Sequence, residues 1–151
     1  MSADEGKKLV SRVADELWNQ GRLETVEEVM TAEAHYHGPH MPNGVGTRED
    51  WRQAVARYRS AFPDARVTYE ELIACGDTIV GRWSATGTQR GPMPGAPPSG
   101  KRIAISGITI YRIAGGKIVE AWEQLDLLGM WQQLGVFAPP GHGAVASGER
   151  L

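Results

Sequence analysis

The sequence predicts an α+β domain, with helices gathered toward the N-terminus and a meander of antiparallel strands after them. Three observations predict it. Apolar residues recur at helical spacing up to Phe62, and period-two alternation takes over from Ala65. The long strand-like runs are joined by turns or by a Pro/Gly-rich loop, never by a segment that reads as a crossover helix.

The elements follow in order. Ser2 and Glu5 have capping-box spacing, and Leu9, Val10, Val13, Ala14, Leu17 and Trp18 form the apolar stripe of a first helix that Gly21 ends. Leu23, Val26, Val29 and Met30 predict a shorter second helix folding back on it. In AHYHGPHMPNGVG, from Ala34 to Gly46, the His, Pro and Gly content predicts a short strand running into an irregular loop. Thr47 and Asp50 open a third helix with Trp51, Val55, Tyr58 and Phe62 on one side, closed by Pro63. A strand with Val67 and Tyr69 on one face then turns at Cys75, Gly76 and Asp77 into the long run TIVGRWSATGTQ. Arg90 to Gly100 is too rich in Pro and Gly for a central strand and is read as a loop. RIAISGITIYRI is the third long strand, and Ala114, Gly115 and Gly116 turn it into the last.

That last stretch, KIVEAWEQLDLLGMWQQLG, organises the chain. Counting in twos from Ile118 places Glu120, Trp122, Gln124 and Asp126 on one strand face, ending in a carboxylate. Beyond it, Leu127, Leu128, Met130, Trp131 and Leu134 fit a short helix stopped by Gly135. A single domain is expected over residues 1–138, with residues 139–151 as a loose tail. Both faces of the strands carry apolar residues, so a homodimer pairing sheet on sheet is expected to cover the outer face.

Composition narrows the function classes. Lys+Arg 16 against Asp+Glu 18, without a basic run, argues against a nucleic-acid partner and for a small molecule. Cys75 is the sole cysteine, the first residues lack the apolar core of a signal peptide, and no apolar run approaches a membrane span. A cytoplasmic location is therefore expected, with no membrane partner. The glycines of GPMPGAPPSGK lack phosphate-loop spacing and do not open a helix, which argues against nucleotide binding. His35, His37 and His40 come without a Cys or Glu to complete a ligand pattern, so no metal is expected.

AFPDARVTYEELIACGDTIVGRWSATGT, GAPPSGKRI, YRIAGGKIVEAW and LDLLGMWQQLG resemble the SnoaL-like polyketide cyclase, or ester cyclase, family of the NTF2-like superfamily, over about Val10 to Val136. The resemblance implies a cone-shaped α+β barrel, with helices on a curved antiparallel sheet around a deep apolar pocket, commonly dimeric. It implies a cofactor-free enzyme that closes a ring in a polyketide-like carbonyl compound by an intramolecular aldol step, with an aspartate as acid and base. Asp126 matches that aspartate. Gln89 stands where many relatives carry His, and Ala121 where His precedes the Trp.

The candidate catalytic residues are thus Asp126, His37 and Gln89. An acid beside Trp122, Leu125 and Leu127 would have its charged form disfavoured and its pKa raised; aspartate is also a favoured N-cap, so both roles stand. His37 is expected at the pocket mouth as a proton partner, or bonded to backbone. Trp18, Tyr36, Met41, Trp51, Tyr58, Phe62, Trp83, Thr88 and Trp122 are expected to hold an aromatic or polycyclic substrate. Arg82 and Thr86 add polar groups on the same strand as Thr88. Two alternatives stand beside the cyclase: a non-catalytic ligand-binding module, and an epoxide hydrolase or ketosteroid isomerase type of enzyme on the same scaffold.

Overall fold

The computed structural model describes residues 1–137, so the expected tail over 139–151 lies outside the described residues. Helix α1 (Ala3–Arg12) starts at the expected capping box: the Ser2 hydroxyl accepts from the Glu5 amide and the Glu5 carboxylate from the Ser2 amide. It continues as a wider π-helical turn over Val13–Trp18. Helix α2 (Thr25–Val29) is shorter than expected, because Met30 is already extended and opens strand β1 (Met30–His37). A 3-10 turn at Pro42–Gly44 and the two-residue strand β2 (Val45–Gly46) lead into α3 (Arg48–Ala61), capped by Thr47 and Asp50 as the sequence requires.

The four long strands are β3 (Arg66–Cys75), β4 (Thr78–Thr88), β5 (Arg102–Ala114) and β6 (Lys117–Leu125), followed by α4 (Leu127–Gln133). They pair as successive antiparallel neighbours, and the six-stranded sheet has the order β2-β1-β6-β5-β4-β3. Strand β1 joins the far side of β6 in parallel, a pairing that local pattern could not disclose because the two are distant in sequence. The curled sheet closes on α1, α2 and α3 around a core that includes Val10, Leu17, Val26, Val29, Val55, Ile79, Ile113 and Ile118. A second cluster, with Phe62, Met93, Ile103, Met130 and Leu134, seals the end near α4. Ile73, Ile108 and Ile110 are exposed on the outer face.

Two local features of the sheet decide what reaches the interior. Glycines on its concave face let aromatic rings lie flat on the strands. A methyl group on Gly81 would stand 2.5 Å from the Tyr69 ring, and one on Gly107 would stand 2.4 Å from the Trp83 indole. The other feature is a register slip in β6: Ile113 of β5 pairs with Ile118, yet the adjacent Arg112 pairs with Glu120. Val119 is the extra residue of a β-bulge, and an inserted residue exchanges the two faces beyond it. Counted from the bulge, Ala121, Glu123 and Leu125 turn inward, while Glu120, Trp122 and Gln124 turn out. The face expected to carry Asp126 is therefore the outer one.

Candidate active site

A partly open cavity of about 80 Å³ lies between the concave sheet face and the helices. Its wall is almost wholly apolar and aromatic. Trp18 comes from the π-helical turn, Tyr58 from α3 and Phe62 from its cap. Tyr36, Tyr69, Trp83 and Tyr111 come from the sheet, and Met130 from α4. Among the described residues no Lys or Arg lines it, and the two titratable groups other than phenols are Glu123 and His40.

Glu123 sits where β6 faces Thr109 of β5 across the ladder. Its side chain is half-buried: the cavity touches it, but protein surrounds the rest. Removal from bulk water disfavours the carboxylate and pushes its pKa up to about 7, although bonds from Tyr36 and Thr109 pull the other way. Thr109, fully buried, donates to Glu123 Oε1 at 3.5 Å and accepts from Trp83 Nε1 at 3.0 Å. The indole thus leaves the threonine proton pointing at the acid. The same negative site contributes to raising Tyr36, Tyr58, Tyr69 and Tyr111 above the ordinary phenol range, burial being the larger cause for each. All four are neutral hydrogen-bond donors or acceptors at pH 7.

His40 Nδ1 lies 2.8 Å from the Tyr58 hydroxyl, and the rings meet edge to face at 4.7 Å. Burial, with help from Arg57, holds the imidazole down to about 4, so it is neutral at pH 7. A neutral ring can pass or accept a proton without adding charge to an apolar cavity.

Of the residues expected to bind substrate, Trp18, Tyr36, Tyr58, Phe62 and Trp83 line the cavity, as does Thr86. The others lie elsewhere. Met41 is buried in the core against Gly46, and Trp51 is buried behind Tyr36, stacked on it at 5.0 Å. The Thr88 amide donates to Asp64, and its side chain is not part of the cavity wall. Trp122 faces outward, stacked on His37 with ring centroids 5.3 Å apart, and the Arg112 guanidinium lies 4.9 Å from its ring. His37 is consequently on the outer face rather than at the mouth, with Nε2 2.8 Å from Glu120 Oε2. Arg82 pairs there with Glu71.

Two residues expected to be catalytic make structural hydrogen bonds outside the cavity wall. Gln89 is fully buried, donating to the Ala96 carbonyl and accepting from the Ser99 hydroxyl, so it staples the Pro/Gly-rich loop in place. Asp126 is exposed, and its Oδ1 accepts from the Gly129 amide at 2.9 Å as the N-cap of α4. Of the two roles open to it, the capping one is seen in this hydrogen bond. Glu123, Thr109 and His40 are what sequence reasoning missed. The signal for Glu123 was its place between Ala121 and Leu125, two apolar residues at strand spacing; the bulge that makes that spacing count has no signature of its own.

Among the described residues no group of three or more His, Cys, Asp or Glu is placed to hold a metal ion, and no helix is long and apolar enough to cross a membrane.

Solved structures share this architecture. TsrD from Streptomyces laurentii superposes with a TM-score of 0.81 at 28% identity, covering 91% of this chain and 99% of that one. A candidate polyketide cyclase from Acidithiobacillus ferrooxidans gives 0.74 at 30% identity, over 89% and 98%. IdmH from Streptomyces antibioticus, also described as a candidate polyketide cyclase, gives 0.75 at 28%, over 86% and 98%. No curated protein matches. The profile of the SnoaL-like polyketide cyclases matches residues 8–134, nearly the whole described chain, and the protein belongs to that family.

Proposed function

We propose that the protein is a cofactor-free cyclase that closes a ring in an uncharged, polyketide-like carbonyl compound, with Glu123 as its acid and base. The observation that carries this reading is the Glu123 carboxyl, the single one among the described residues that line this aromatic cavity, with no basic side chain among them and with removal from water pushing its pKa up to about 7. A group poised near the working pH both accepts and returns protons efficiently. The Glu123 carboxylate takes a proton from a carbon flanked by carbonyls, and the bonding pair moves onto a carbonyl oxygen as an enolate. The enolate carbon then attacks a second carbonyl carbon of the same molecule. The resulting alkoxide takes the proton back from Glu123, leaving the enzyme unchanged. Tyr36 and Thr109 hold the carboxyl in position, and Tyr58 with neutral His40 supplies a polar contact among apolar walls.

Pockets that bury drug-sized ligands hold roughly 300 to 1,000 Å³. At about 80 Å³ the cavity accepts the reacting portion of a substrate, and a polycyclic one needs the cavity wall to yield.

The pH dependence of turnover tests the reading. With Glu123 as base, kcat/KM for a cyclising substrate should rise tenfold per pH unit below about 7 and level off above it. A profile flat from pH 5 to 8 would sink the proposal. It would favour the module that binds a ligand unchanged.

A further inference from the structure

Tyr69 and Tyr111 form a pair that the proton transfer above does not use. Their hydroxyl oxygens are 2.6 Å apart, both rings line the cavity, and they come from strands β3 and β5, which are not neighbours in the sheet. Strand β4 runs between them, and the pair can meet only because Gly81 leaves room there. A β-carbon at that position would collide with the Tyr69 ring at 2.5 Å and crowd Leu72 at 3.3 Å. The pairing is thus built into the sheet.

Two phenols in contact share one hydrogen bond between them, so one proton of the pair remains free for a third group. With Tyr69 as the donor of the pair, the Tyr111 oxygen accepts at 2.6 Å while its own proton points elsewhere. An O–H group whose oxygen accepts such bonds becomes the stronger donor, because hydrogen bonds in a chain polarise one another. Glu123 is close enough to act electrostatically on both phenols. Among the described residues no cationic side chain lines the cavity, so neutral donors are what these residues offer a negative oxygen formed there.

We infer that the Tyr69–Tyr111 pair is an oxyanion site: the Tyr111 hydroxyl donates to the oxygen that becomes the enolate, and Tyr69 strengthens that donor from behind. The step assigned to it rests on the cyclase reading, but the binding site does not. When Glu123 removes the carbon-bound proton, the electron pair passes to the carbonyl oxygen, and this oxygen accepts the Tyr111 hydrogen bond without taking its proton. Ligands of the class the site would hold are enolates and their stable mimics, the phenolates.

Phenolate binding tests this without turnover. Substituted phenols of graded acidity are titrated into the Glu123→Gln protein, whose amide cannot repel an anion, and ultraviolet absorption reads the ionised fraction of the bound phenol. Phenolate should bind in preference to phenol, and adding Tyr111→Phe should weaken phenolate binding by about tenfold or more while changing neutral phenol binding little. Tyr69→Phe, which leaves the direct donor in place, should weaken it by roughly threefold. Should the Tyr111 variant fail to fold, Tyr69→Phe carries the comparison. Equal phenolate affinity with and without the hydroxyls, or no phenol binding by folded protein, would overturn the site. If turnover survives the loss of Glu123 while the phenolate results hold, the cyclase reading falls and the oxyanion site stands.

Discussion

Replacing Glu123 by glutamine is expected to lower kcat for a cyclising substrate by roughly 10²- to 10⁴-fold, the range that a positioned general acid or base contributes. Glutamine preserves the volume of the side chain and an oxygen to accept from Tyr36, so the cavity keeps its shape and only the proton carrier is lost. Among the described residues no second carboxylate lines the cavity to take over. Asp126→Ala makes the opposite pattern. That side chain is exposed and bonded to the Gly129 amide, so its loss should leave turnover within a few-fold of the original and cost about 1 kcal/mol of stability, as for other N-caps. Single-turnover kinetics on both variants, alongside chemical denaturation, separate the two roles. The assignment is reversed if the Asp126 variant is the inactive one.

The second large effect is on stability. Removal from water pushes the Glu123 pKa up to about 7 in the folded protein, against the ordinary 4.5 expected of the unfolded chain. Below pH 4.5 both states hold the proton and the group has no effect. Between 4.5 and 7 the unfolded chain releases the proton while the folded protein retains it, so stability falls as pH rises. Above 7 the loss is complete, at about 3 kcal/mol, from roughly 1.4 kcal/mol per pKa unit. That is a large part of the 5 to 15 kcal/mol typical of a domain. Other carboxylates oppose it in a different window. Asp64 and Glu16 are held below their ordinary values, by the Thr88 amide and by Arg12, so they stabilise the fold above the ordinary carboxylate range and lose that effect as pH falls through their lowered values. Denaturant titrations from pH 5 to 8 should show the decline in the wild type and its disappearance in Glu123→Gln, which becomes the more stable protein at pH 8. A wild-type curve that stays level over that interval would contradict the buried acid.

The acid invests the site with a cost that the rest of the fold must carry, which is common where function demands an unfavourable environment. The sequence disclosed most of that fold because the signals are local: the capping boxes at Ser2 and Thr47, the alternation through β4 and β5, and the turn glycines at 115 and 116. It also marked five of the cavity's aromatic residues, since helix and strand spacing place rings without tertiary knowledge. What it could not disclose depends on pairing. The bulge at Val119 exists only relative to β5, yet it decides whether Glu120 and Trp122 or Ala121 and Glu123 face inward. His37 was misplaced for the same reason: it joins Trp122 through a parallel pairing of β1 with β6, two strands separated by most of the chain. The space around Tyr69 and Trp83 likewise depends on glycines of neighbouring strands, which single-strand patterns do not connect.

The most direct measurement of the central claim is the titration of the Glu123 carboxyl itself. Carbon-13 NMR of protein labelled at glutamate side-chain carboxyls, with the resonance absent from Glu123→Gln used for assignment, reads that group alone. A midpoint of about 7 is the predicted result. A midpoint near the ordinary 4.5 would contradict it, leaving the cavity without a proton carrier matched to neutral pH.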